Sequence, residues 1–166
     1  MDELIIPKAF ISYLYTNNFG NEDPTLDQID DWASAQGFDK ADFWRNYERM
    51  IKAKIVRLVQ NNSTVRLSPK GTLQAEKLGL ATSDAVARNR EVRQRLMRAM
   101  AGYLSRCGAT ANLSDLTQGS TLQNDDYIGN LQLLIDMGYA RWTVNRHQVS
   151  INPKVCAKAG TMSKVA

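Results

Sequence analysis

The chain has 166 residues, 43% hydrophobic and 23% charged, with a net charge of +4 and a pI near 9.1; this is the make-up of a soluble globular protein of one ordinary domain or two small ones. No apolar run is long enough to span a bilayer, and MDELIIPKAF sets two acids where a secretory signal has a basic front, so a cytoplasmic location is expected. Cys107 and Cys156 are too few for a disulfide framework and are expected as reduced, partly buried thiols, with a bridge between them the lesser alternative.

In chain order, Pro7 opens a helix through KAFISYLYTNN, which Asn18 to Gly20 end. Thr25 starts a second helix, TLDQIDDWASAQ, stopped by Gly37. Phe43, Tyr47, Met50 and Ile51 then fall at i, i+4, i+7 and i+8, one stripe of a helix over 40–53 that Asp39 can cap. IVRLVQ (55–60) and VRLS (65–68) read as two strands around the turn residues NNST. Pro69 suits the first turn of a closing helix, where a missing N–H costs nothing. LGLATSD joins this half to the next, giving domains at 1–80 and 84–166 with a linker near 79–83.

The second half repeats the order. A helix over 84–106 carries Val92, Leu96, Ala99, Met100 and Tyr103 on its apolar side, and Gly108 ends it. NLSDLTQ is a short helical piece. A helix over 124–137, with Asn124 as its cap, has the stripe Tyr127, Leu131, Leu134 and Ile135. YARWTV and VSIN flank the turn NRHQ, and Pro153 opens a last helix. Sliding the halves by 84 positions aligns 42–70 with 126–154 without a gap. Eight of those 29 positions are identical: Asp42/Asp126, Asn46/Asn130, Ile51/Ile135, Arg57/Arg141, Asn61/Asn145, Val65/Val149, Pro69/Pro153 and Lys70/Lys154. Average residue usage gives roughly two. The fold class expected is mainly α with small β-hairpins (α+β), built twice.

Three helices followed by a hairpin and a helix resemble the winged-helix fold, a helix-turn-helix with a β-hairpin wing. The segment LVQNNSTVRLSPKGTLQAEKLG is similar to the wing and following helix of multiple-antibiotic-resistance-type bacterial regulators, with Leu67-Ser68-Pro69-Lys70-Gly71 at their Leu-Thr-Pro-Lys-Gly-like turn. The second copy, Ile151-Asn152-Pro153-Lys154-Val155, lacks the glycine. The resemblance implies two tandem winged-helix domains, with the third helix of each a candidate major-groove reader and the wing a backbone or minor-groove contact.

Placed on that frame, the polar side of helix 40–53 offers Lys40, Arg45, Asn46, Arg49 and Lys52, and its wing adds Arg57, Arg66 and Lys70. A solvated face, with Asp42 and Glu48 pairing against those cations, is the plainer alternative. The aligned helix differs. Residues 40–54 hold five Lys+Arg and two Asp+Glu, whereas 124–138 hold three Asp and no Lys or Arg. Asp125, Asp126 and Asp136 repel phosphate, and Ile128 and Leu133 are apolar where exposure is expected, a surface suited to another protein surface in this chain, a second copy or a partner. The second half has Arg141 and Arg146 on its wing and Arg88, Arg95 and Arg98 near one face of its first helix. That face is open to nucleic acid, a dimer interface or the acids Asp27, Asp30 and Asp31 of the second helix.

No catalytic constellation stands out. His147 is the lone histidine, in a turn. The cysteines and His147 lack metal-ligand spacing, and no Gly-rich phosphate loop is present. The expectation is a non-enzymatic protein without cofactor that binds double-stranded DNA, as a small transcriptional regulator or a replication or mobile-element accessory factor, with a homodimer possible. The alternative is a winged-helix protein-interaction adaptor.

Overall fold

The computed structural model describes residues 4–20, 22–59, 63–117 and 124–163, without the side chains of 124–126 and 160–163. The chain is mainly helical with small antiparallel β-hairpins. It divides into two compact units, Met1–Val86 and Ala87–Ala166.

The first unit runs α1 (Ile5–Gly20), α2 (Leu26–Ala35), α3 (Lys40–Lys52), β1 (Val56–Val59), β2 (Thr64–Leu67) and α4 (Pro69–Lys77). Its helix starts are chemically marked. Thr25 and Gln28 form a capping box, each side chain accepting the other's backbone N–H. Asp39 accepts from the Asp42 N–H at 3.0 Å, and Ser68 accepts from the Gly71 N–H at 3.1 Å with Pro69 in the first turn. The three helices meet on an aromatic core. Phe10 and Phe43 are fully buried, edge to face at 5.2 Å, and Tyr13 stacks on Trp32 at 4.4 Å. Val56, Val65 and Leu67 close that core from the hairpin. Of the turn expected at 61–64, Asn61 and Asn62 lie outside the described residues, while Ser63 takes a positive φ of 50° and Thr64 begins β2. A third strand is reduced to one bridge, Thr25 to Thr64, beside the bond from the Val65 N–H to the Pro24 carbonyl.

Helix α5 (Ser83–Arg106) begins just before the division and lies mostly in the second unit, which continues with β3 (Thr110–Asn112), α6 (Leu113–Thr117), α7 (Asn124–Asp136), β4 (Ala140–Trp142), β5 (Gln148–Ile151) and α8 (Lys154–Ser163). Its sheet has the order β3-β5-β4, antiparallel throughout. Strand β3 is absent from the sequence expectations: at three residues, with Ala111 its one apolar position, it is too short for an alternation to register. The core gathers Leu96, Met97 and Met100 of α5, Leu131 and Leu134 of α7, and Val149 and Ile151 of β5.

The 84-residue offset recurs in the backbone. Val56 pairs with Leu67 as Ala140 pairs with Ile151, and Leu58 with Val65 as Trp142 with Val149. The Ile55 N–H bonds the Met50 carbonyl as the Tyr139 N–H bonds that of Leu134. Lys54 and Gly138 both take positive φ, 60° and 86°, at the end of α3 and α7. The shared lysine also recurs: Lys70 Nζ donates to the Ala53 carbonyl at 3.0 Å, and Lys154 Nζ to the Met137 carbonyl at 3.1 Å. Each neutralises the negative end of the third helix of its unit.

Candidate nucleic-acid interface

Helix α3 turns Phe43, Tyr47 and Met50 inward, which leaves Lys40, Arg45, Arg49 and Lys52 exposed on its other side. Asn46 spends its amide on the Asp42 carbonyl one turn back. Two of the cations have acid partners within the unit. Lys40 lies 3.1 Å from Asp30 and Arg45 lies 2.9 Å from Asp42, all four at the surface or partly so. Such pairs are weak and screened by salt, and a phosphate can replace the carboxylate. Arg49 and Lys52 have no side-chain partner among the described residues. They sit in the last turn of α3, where positive charge also suits the helix dipole.

Trp44 is half-buried, and its indole N–H donates to Asp30 at 3.0 Å. That bond first, then Lys40, holds the Asp30 carboxyl below its ordinary pKa. Asp30 is therefore engaged inside the first unit by α3.

Arg66 corrects the sequence expectation. It is 4% exposed, not a free wing cation. Its guanidinium lies 3.0 Å from Asp23 and 5.7 Å from the centre of the Phe19 ring. A charge removed from water needs a fixed partner, and Asp23 provides it from the turn between α1 and α2. The same turn is held by Asn18, 2% exposed, whose amide donates to Asp23 and whose carbonyl oxygen accepts from the Leu67 N–H. Arg57, opposite Arg66 on β1, is half-buried. Lys70 is exposed, but its ammonium already serves the end of α3.

In the second unit, Leu133 is a second correction. It is 2% exposed, so it is not an open surface for a partner. Its neighbours on α7 explain part of that closure. Gly129 is buried and Asn130 is fully buried, with its amide donating to Asn89 at 2.9 Å and its oxygen 3.4 Å from Arg93. Asn89 and Arg93 belong to α5, which has 24 residues where α1 has 16. The α7 positions matching Arg45, Asn46 and Arg49 are thus closed. Ile128 remains 43% exposed. The expectations for the side chains of Asn124, Asp125 and Asp126 fall outside the described residues.

Arg88, Arg95 and Arg98 are exposed on α5, and Arg95 pairs with Glu91 one turn back at 2.6 Å. Arg141 is exposed on β4, Arg146 and His147 on the β4–β5 turn. Cys107 and Cys156 are both free and exposed, not partly buried: Cys107 follows the end of α5, and Cys156 lies on the outer side of α8. Among the described residues no helix is long and apolar enough to cross a membrane. No family model, curated protein or solved structure matches the chain.

Proposed function

We propose that the two units are tandem winged helices and that the protein binds double-stranded DNA without catalysing a reaction, as a small cytoplasmic regulator or an accessory factor in replication or a mobile element. The order of three helices and a hairpin in each unit supports the fold reading. The observation that carries the function is the exposed cationic end of α3, with Arg49 and Lys52 unpaired among the described residues and Arg45 held only by a surface pair. In this reading α3 enters a groove and those side chains meet phosphates and guanine edges.

The test is binding to a random duplex by fluorescence anisotropy across a salt series. Wild-type affinity should fall steeply with salt, and the Arg49→Glu/Lys52→Glu variant should bind more weakly with a slope shallower by about 2, near one unit per lost phosphate contact. Wild-type protein that shows no affinity for duplex at low salt ends this reading. The adaptor reading keeps one observation in its favour: of the eight cations and amides assigned to the first unit, Lys40, Arg45, Asn46, Arg66 and Lys70 already have partners inside it.

A further inference from the structure

We propose that the second unit meets duplex DNA through the outward face of its three-stranded sheet, not through α7, and that this face grips backbone phosphates without regard to sequence. The proposal rests on the reading of the protein as a duplex-DNA binder.

Cross-strand partners share a face of a sheet, so the register shows what each side presents. One row runs Trp142–Val149–Ala111, with Val149 and Ala111 fully buried against the helices. The next row, Arg141–Ser150–Thr110, faces the other way. Arg141 and Thr110 are exposed and Ser150 partly so. Gln148 and Asn112 continue that outer face and bond each other at 2.9 Å. The groups offered are a guanidinium, two hydroxyls and two amides, which are the side chains that hold phosphate oxygens.

The charge pattern selects the partner. All six acids of residues 81–166 lie at 84, 91, 115, 125, 126 and 136, on α5, α6 or α7. The three strands and the hairpin turn hold none. Residues 137–166 hold five Lys+Arg and no Asp or Glu. Lys154 is occupied at the end of α7, which leaves Arg141 and Arg146 as the exposed cations of the hairpin. A polyanion approaching α7 meets Asp125, Asp126 and Asp136 in the sequence of that helix. One approaching the sheet meets no acid on its three strands or its hairpin turn, only neutral polar groups beside Arg141 and Arg146.

The contrast with the first unit sharpens the division of work. The matching row there is Arg57–Arg66, and Asp23 covers Arg66. In the first unit one of the two arginines of the sheet row is held by Asp23, and the third helix is open. In the second the third-helix face is shut by Asn89 and Arg93 and the sheet row is open.

The experiment uses the full chain and the same random duplex and salt series, with circular dichroism and melting to confirm folding of each variant. Arg141→Glu/Arg146→Glu should weaken binding roughly tenfold or more at low salt and flatten the salt slope by about 2, equally on unrelated sequences. Thr110→Glu, on the exposed edge strand and away from the hairpin turn, should weaken binding severalfold. It decides the matter if the double variant does not fold. Wild-type affinity and slope in Thr110→Glu and in the folded double variant, with Arg49→Glu/Lys52→Glu weakened, would overturn the sheet proposal and leave the DNA reading standing. No wild-type binding to duplex, or binding only to phosphatidylserine vesicles, would remove both.

Discussion

Replacing Gly71 by alanine should destabilise the first unit, although alanine is the better helix former by about 1 kcal/mol. The structure sets the sign. A Cβ built on Gly71 would lie 2.2 Å from the Ile55 carbonyl oxygen and 3.1 Å from its carbon. That oxygen accepts from the Ser68 N–H at 3.0 Å and from the Ser68 hydroxyl at 3.1 Å, the bonds that tie the start of α4 to the start of the hairpin. Backbone must move by roughly 1 Å, at the 1–3 kcal/mol typical of overpacking. Weakening one bond adds about 1 kcal/mol. After the gain in helix propensity, the net loss is about 2 kcal/mol. For a unit of this size that lowers the melting temperature by roughly 8–16 °C. Urea and thermal unfolding followed by far-ultraviolet circular dichroism measure it. A change below about 0.5 kcal/mol, the scale of neutral surface substitutions, would show that the Ile55 carbonyl does not constrain this position. The equivalent residue in the second unit is Val155, fully buried. There α8 begins at Lys154, after Pro153, where α4 begins at Pro69 itself.

The aligned asparagines should respond unequally. Asn130→Ala should cost about 1–3 kcal/mol, because Asn89 and Arg93 lose a buried partner, whereas Asn46→Ala, on the surface of α3, should fall within about 0.5 kcal/mol of wild type; equal losses in urea titrations would refute the distinction. Asp30 should give acid-linked stability. Its folded pKa is depressed, first by the Trp44 indole and then by Lys40, so its contribution is present above the ordinary carboxylate value of about 3.9 and is lost as pH falls through the folded value. Trp44→Phe should therefore flatten the acid limb of a melting-temperature profile between about pH 5 and pH 2, and an unchanged limb would place the linkage elsewhere.

Much of the secondary structure was legible because it is local. The stripes Phe43-Tyr47-Met50 and Tyr127-Leu131-Leu134 have helical spacing, and all six residues are buried. Asp39, Thr25 and Ser68-Pro69 mark helix starts by chemistry that acts within three residues. The offset of 84 was visible as identities, and it returns as shared strand register and shared lysine-to-carbonyl bonds. What the sequence could not supply was the partner of each polar residue. Arg66 alternates on its strand like a solvent-facing cation, yet it is buried by Asp23, 43 positions earlier. Leu133 matches an exposed position of the first copy and Asn130 a half-buried one, yet both are buried, and Asn130 is enclosed by Asn89 and Arg93, 41 and 37 positions earlier. Strand β3 exists only because Val149 and its neighbours on β5 offer it a ladder, 36 to 40 residues away. Periodicity records which face of an element is apolar, since that is set by spacing along one chain segment. Whether the other face meets water depends on which distant segment folds over it, and that is decided only when the whole unit packs.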